Sequence, residues 1–172
     1  MSSLRLALAT ALTLSACTTH GTPVDRADVP MRDATGRDLG TLILSNTTGG
    51  LILTGALSGL PVGVHGIHIH AIGRCDPPSF ESAGPHWNPV GRMHGTLNPQ
   101  GPHMGDMPNI NVASDGSATA SLITPGGTLR GTGGLLDSDG AAVVIHAQVD
   151  DYRTDPSGNS GARIACGVVR GN

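Results

Sequence analysis

The segment Gly66-Ile67-His68-Ile69-His70 sets two imidazoles two positions apart, and clusters carrying four more histidines and an aspartate follow it. Side chains on a strand alternate faces, so His68 and His70 project to one side and can hold an ion between them. In Ser82-Ala83-Gly84-Pro85-His86-Trp87-Asn88-Pro89, a turn rich in glycine and proline restricts where the His86 ring can go. Gly91-Arg92-Met93-His94-Gly95 and His103-Met104-Gly105-Asp106 add two imidazoles and a carboxylate, a mixture that tetrahedral zinc accepts. His146 completes the set inside the apolar run Ala142 to Ala147, where a strand is expected and a solitary histidine would need a partner. These spacings suit a two-metal site and point to a metalloenzyme.

Short strands must position these side chains. The 26 glycines, 12 prolines and three aromatic residues argue against a helical bundle and for strands joined by many turns. Eight strands are expected, at residues 26–32, 38–46, 51–59, 64–71, 109–114, 117–123, 142–148 and 164–169. The turn signals Asn46 to Gly50, Ser114-Asp115-Gly116 and Asp137 to Gly140 favour antiparallel hairpins and a Greek key. Two long irregular stretches remain, 72–108 and 149–163, and irregular stretches of that length in a compact domain are usually functional. His65 falls on the same expected strand as His68 and His70 but on its opposite face, and is read as a hydrogen-bonded structural histidine.

The order H-x-H, SAGPHWNP, RMHG, HMGD, VIHA and GARIACGVV resembles the copper/zinc superoxide dismutase family over residues 24 to 170. The resemblance implies an all-β, eight-stranded Greek-key barrel or sandwich with two long functional loops. It implies copper ligands His68, His70, His86 and His146, and zinc ligands His86, His94, His103 and Asp106, with His86 as the bridge. It also implies catalytic roles for Arg163 and His86, an aspartate at Asp150 that orients ligands between the two metals, and a disulfide between Cys75 and Cys166. Copper and zinc would be the cofactors and superoxide the substrate, dismuted to oxygen and hydrogen peroxide. The chain departs from the family pattern at Ile67, where an aromatic residue is frequent, and in a second long loop without lysine. The alternative of another class is a non-catalytic periplasmic copper or zinc binding module. Storage needs no residue to guide an anion, so Arg163 favours the enzyme.

At 172 residues the chain fits one domain of ordinary size, with a formal charge of −3. All ten basic residues are arginine and none forms a basic block, which argues against a nucleic-acid partner. Behind Arg5, the apolar stretch Leu6 to Leu14 is too short to span a bilayer and leads into Ser15-Ala16-Cys17. This resembles a bacterial lipoprotein signal. Residues 1–16 would be cleaved, Cys17 would carry lipid, residues 17–23 (with His20, to which no specific role is given) would form a tether, and 24–172 the domain. Thr18 in place of aspartate resembles lipoproteins sent to the outer membrane. The localisation so implied is a membrane-anchored periplasmic lipoprotein; a plain secretory signal with an incidental cysteine is the alternative.

With Cys17 set aside, Cys75 and Cys166 form an even pair, for which a disulfide suits an oxidising periplasm and two buried thiols are the alternative. Without Arg5 the charge is −4, nine arginines against thirteen acids, so local field rather than net charge must guide an anion. Arg163 is the candidate for the last contact. Arg74, Arg92 and Arg153 are candidates for a wider positive rim, with ordinary solvation or ion pairing favoured for Arg74 and Arg92. The oligomeric state is left open, a homodimer included.

Overall fold

A computed structural model describes residues 26–171, so the signal, Cys17 and His20 lie outside the described residues. Ten strands follow in chain order: β1 Arg26–Asp33, β2 Asp38–Thr47, β3 Gly50–Leu57, β4 Gly63–His65, β5 Ile67–His70, β6 Ile110–Val112, β7 Ala118–Pro125, β8 Ala142–His146, β9 Arg163–Val168 and β10 Arg170–Gly171. Among the described residues the only helical segment is a 3-10 turn, Glu81–Ala83.

Alternation builds the core. On β1, Ala27, Val29 and Met31 turn inward; on β2, Leu42 and Leu44 do the same, and on β3, Leu51 and Leu53. These side chains form one apolar cluster with Ile67, Ile69, Trp87, Ile110, Val112, Val143 and Ile145. Burial of this kind is the main favourable contribution to folding. The strands pair antiparallel in the order β5-β8-β9-β1-β2-β3-β7, with β10 added to β1, and the sheet curls into half a barrel. Strands β4 and β6 pair separately, and β6 turns into β7 through the Ala113 N–H donating to Ser117 O at 2.8 Å.

The all-β, Greek-key expectation holds, and two details differ from the sequence reading. The expected strand 64–71 is split at Gly66: β4 pairs with β6, whereas β5 pairs with β8. A Cβ at Gly66 would lie 2.9 Å from Ser160 Cβ and 3.3 Å from His68 Cε1, so glycine lets this bend pass under the second long loop. The short β10 was also not expected. It pairs Arg170 with Asp28 and Gly171 with Ala27.

Candidate metal centre

Strand β5 is buried on both faces. Ile67 and Ile69 enter the core while His68 and His70 face the other way. The edge of β5 that β8 leaves unpaired is covered by the long loop after it. Ile69 N–H donates to Gly105 O at 2.9 Å, Trp87 N–H to Ile69 O at 2.8 Å and Ala71 N–H to Pro85 O at 2.9 Å. These bonds set His86 opposite His70 and Asp106 opposite His68. Gly105 is required for the approach, because a Cβ there would lie 2.3 Å from Ile69 O. His146 arrives from β8, at the end of a strand with every residue buried.

Each of the four rings expected around copper has one nitrogen tied and one left over. His68 Nε2 donates to Asp150 Oδ2 at 2.8 Å, His70 Nδ1 to Gly84 O at 2.8 Å, His86 Nδ1 to Asp106 Oδ1 at 2.9 Å and His146 Nδ1 to Gly161 O at 3.2 Å. The opposite nitrogens, Nδ1 of His68 and Nε2 of the other three, are buried without a hydrogen-bond partner. Ligand atoms of these four residues lie within 4.8 Å of one another. Unpartnered buried polar atoms are costly, so four aimed at one place fit an ion.

The second cluster converges on one carboxylate. Asp106 Oδ1 lies 2.9 Å from His86 Nδ1 and 3.2 Å from His103 Nδ1, and Oδ2 lies 3.1 Å from His94 Nδ1. Oδ2 also accepts the backbone N–H groups of Gly95 at 2.8 Å and His103 at 3.0 Å. The tightest group of ligand atoms here is His68, His86, His94 and Asp106; His103 stands just outside it, against Asp106. His68 therefore lies close to both clusters, its ring centroid 4.0 Å from that of His86.

Asp150 ties the two clusters together. Its Oδ2 takes His68 Nε2, and its Oδ1 takes His94 Nε2 at 3.0 Å. Gly158, at φ +64°, lies against this contact, and a Cβ there would sit 1.8 Å from Asp150 Oδ1. Sequence reasoning did not single out Gly158. Nor did it single out Asp155, whose Oδ1 accepts the His94 N–H at 2.7 Å. His65 stands apart as expected, its ring nitrogens each 2.9 Å from the carbonyls of His146 and Pro61.

The environment keeps the copper-side rings neutral. Burial, with His86 nearby, pushes His70 down to about 2. It also pushes His146 down to about 3 and His86 to about 4, the latter against the pull of Asp106. Burial lowers His68 too, despite Asp150. For His94 burial acts in the same sense, but bonding to Asp106 and Asp150 prevails and raises it to about 9. Burial opposes ionisation of Asp106 and Asp150, yet their histidine partners hold both carboxyls well below the usual carboxylate range. Neutral imidazoles beside ionised carboxylates are the protonation states that bind a metal.

A cavity of about 660 Å³ opens onto the site, with His70, His86, His146, Trp87 and Arg163 in its walls. Arg163 Nη1 donates to Phe80 O and Nη2 to Gly84 O, both at 2.8 Å. Gly84 O also accepts His70 Nδ1, so one carbonyl fixes both the arginine and a candidate ligand. Cys75 and Cys166 are bonded, with Cα atoms 5.7 Å apart. Arg74, Arg92 and Arg153, the candidates for a wider positive rim, do not line this cavity. Arg74 is paired with Asp76, and Arg92 reaches Gly101 O at 3.4 Å.

A family model described as copper/zinc superoxide dismutase (SODC) matches residues 39–169. The chain belongs to the copper/zinc superoxide dismutase family. It is 44% identical over 138 residues to a Cu-Zn superoxide dismutase of Aquifex aeolicus, covering 78% of this chain and 82% of that protein. A Cu-Zn superoxide dismutase of Caulobacter vibrioides is also 44% identical, over 139 residues, covering 78% of this chain and 80% of the relative. Among solved structures, a SOD-like protein from Bacillus subtilis superposes with a TM-score of 0.78 at 40% identity, covering 82% of this chain and 96% of that one. The Cu/Zn superoxide dismutase from Brucella abortus gives 0.67 at 29% identity, covering 83% and 98%. Family membership carries with it an oxidoreductase that uses copper and zinc.

Proposed function

We propose that the chain dismutes superoxide to oxygen and hydrogen peroxide at a copper held by His68, His70, His86 and His146. Zinc would be held by His86, His94, His103 and Asp106, with His86 as an imidazolate between the two. The observation that carries this reading is the pattern of tied and untied nitrogens: four buried rings leave one unpartnered nitrogen each, and their ligand atoms lie within 4.8 Å of one another. Bound copper would supply the one-electron change that oxidises one superoxide and reduces the next, while zinc keeps a single oxidation state.

The chain's own residues would do the rest. His86 directs Nδ1 toward Asp106, with His94 and His103 beside that carboxylate, and its Nε2 is untied, so Nε2 would be the atom that takes up and releases a proton. Asp150 would keep the His68 and His94 rings in their tautomers from the side away from the ions. Arg163, in the cavity wall with His70, His86 and His146, would hold the anion in place. In the same reading the domain is a periplasmic lipoprotein anchored through Cys17.

Metal analysis of the purified domain with a superoxide-decay assay tests this. The wild type should bind copper and zinc and speed decay. His86→Ala should weaken both sites and abolish rapid turnover. Full activity in copper-loaded His86→Ala would overturn the bridging role, and a metal-loaded wild type without activity would favour a binding module.

A further inference from the structure

The charge around the cavity is unlike what the approach of an anion calls for. Arg163 is the one cationic lysine- or arginine-type side chain in its walls, against the three carboxylates Glu81, Asp137 and Asp139. Glu81 Oε2 lies 3.5 Å from Arg163 Nη2, and the Glu81 side chain is 75% exposed while that of Arg163 is 14% exposed. Arg163 does not depend on Glu81 for its position, because the carbonyls of Phe80 and Gly84 already hold both terminal nitrogens. Glu81 itself is fixed by its backbone, in the 3-10 turn closed by Gly84 N–H donating to Glu81 O at 3.0 Å. Its carboxylate therefore contributes field rather than geometry. Asp137 is likewise set by its turn, accepting the N–H groups of Asp139 at 3.1 Å and Gly140 at 3.0 Å.

Resting on the dismutase reading and deepening it, we propose that Glu81, backed by Asp137 and Asp139, makes the cavity a valence filter. A guanidinium in a concave site is otherwise a good receptor for dianions such as phosphate or sulfate, through paired N–H donors. The carboxylates temper it so that a small monoanion reaches Arg163 more readily than a dianion does. Repulsion from a fixed charge doubles with the charge of the anion, so its effect on local concentration is squared. One carboxylate roughly 5 Å from the entering anion, in near-aqueous surroundings, is worth about a factor of four for a monoanion and hence about sixteen for a dianion.

The test uses the copper- and zinc-loaded protein, titrated at fixed ionic strength with azide, followed by the visible copper band, and with sulfate, scored by its competition against azide. Glu81→Gln should tighten azide about fourfold and sulfate about sixteenfold. Glu81→Asp should retain the wild-type preference, and metal content should be unchanged in both. Equal gains for azide and sulfate, or no gain for either, would overturn the filter. If the loaded wild type discriminates between the anions as described yet leaves superoxide untouched, the filter stands and the dismutase reading falls.

Discussion

Replacing both Cys75 and Cys166 by alanine separates two jobs that the disulfide does at once. The bridge closes a separation of 91 residues, for which the chain-entropy relation gives about 4.6 kcal/mol at 25 °C, an upper figure if the denatured chain keeps structure. With a urea m-value of about 2 kcal/mol/M for a domain of this size, the unfolding midpoint of the metal-free protein should fall by about 2 M. The metal-free protein is the right sample, because bound metal adds its own stabilisation.

The second job is local. Cys75 anchors the segment that presents Phe80 O and Gly84 O to Arg163, and Cys166 lies three residues beyond Arg163 on β9. Two backbone bonds hold part of that segment without the disulfide, Ala71 N–H to Pro85 O at 2.9 Å and Ile72 N–H to Ala83 O at 3.1 Å. The double alanine variant should therefore bind azide more weakly than the wild type but more tightly than Arg163→Ala, with copper and zinc content unchanged. A midpoint shift corresponding to less than about 1 kcal/mol would refute the entropic argument. A destabilised variant with wild-type azide affinity would refute the link between the bridge and Arg163.

Two further outcomes are expected. His70, His86 and His146 resist protonation in the folded metal-free protein, being held at about 2, 4 and 3, whereas the unfolded chain takes these protons near 6.5. Folded pKa values below the unfolded value mean that stability falls as pH drops below 6.5, by up to about 1.4 kcal/mol per unit for each ring. His94, raised to about 9, acts in the other direction: its contribution is present below 6.5 and is lost as pH rises through 9. Urea midpoints of the metal-free domain should thus peak near pH 6.5, and a midpoint that rises between pH 6.5 and 5 would contradict this. Separately, Cys17→Ser should release the protein from the membrane fraction with its dismutase activity intact; an unchanged fraction, or a mature N-terminus without lipid mass, would rule out the anchor.

The strands and the histidine clusters were legible in the sequence because both are written in side chains. Alternation marks β1, β2 and β3, and the ligand-type residues announce themselves by type and spacing. What stayed hidden is carried by backbone and by convergence. The carbonyls of Phe80, Gly84 and Gly161 orient Arg163, His70 and His146, yet a carbonyl belongs to every residue and marks none. The bend at Gly66 hid for a related reason, since both halves of the segment suit a strand and only their partners differ. The segment Asp137 to Gly140 reads as turn chemistry, and nothing local in it tells that Asp137 and Asp139 line one cavity with Glu81 and Arg163.

The same backbone acceptors explain how a polar cluster this dense can form before any metal is bound. Six histidines and two aspartates are buried together, which is costly unless each ring finds a partner. Here a neutral ring needs just one acceptor, and each copper-side ring has one: Asp150, Gly84 O, Asp106 or Gly161 O. Donating to that acceptor fixes the tautomer, so the free nitrogen points inward with its lone pair already exposed to the centre. Folding thus spends its hydrogen bonds on the far side of each ring and leaves the near side unsatisfied. The carboxylates gather on the side of His94 and His103, where Asp106 meets three rings. Among the four rings expected around copper, His70 and His146 donate to neutral carbonyls, while His68 and His86 donate to the carboxylates of Asp150 and Asp106. On the proposed reading, the pocket built around Asp106 would take the metal that keeps its charge, and the pocket that draws on four imidazoles the one that must change it.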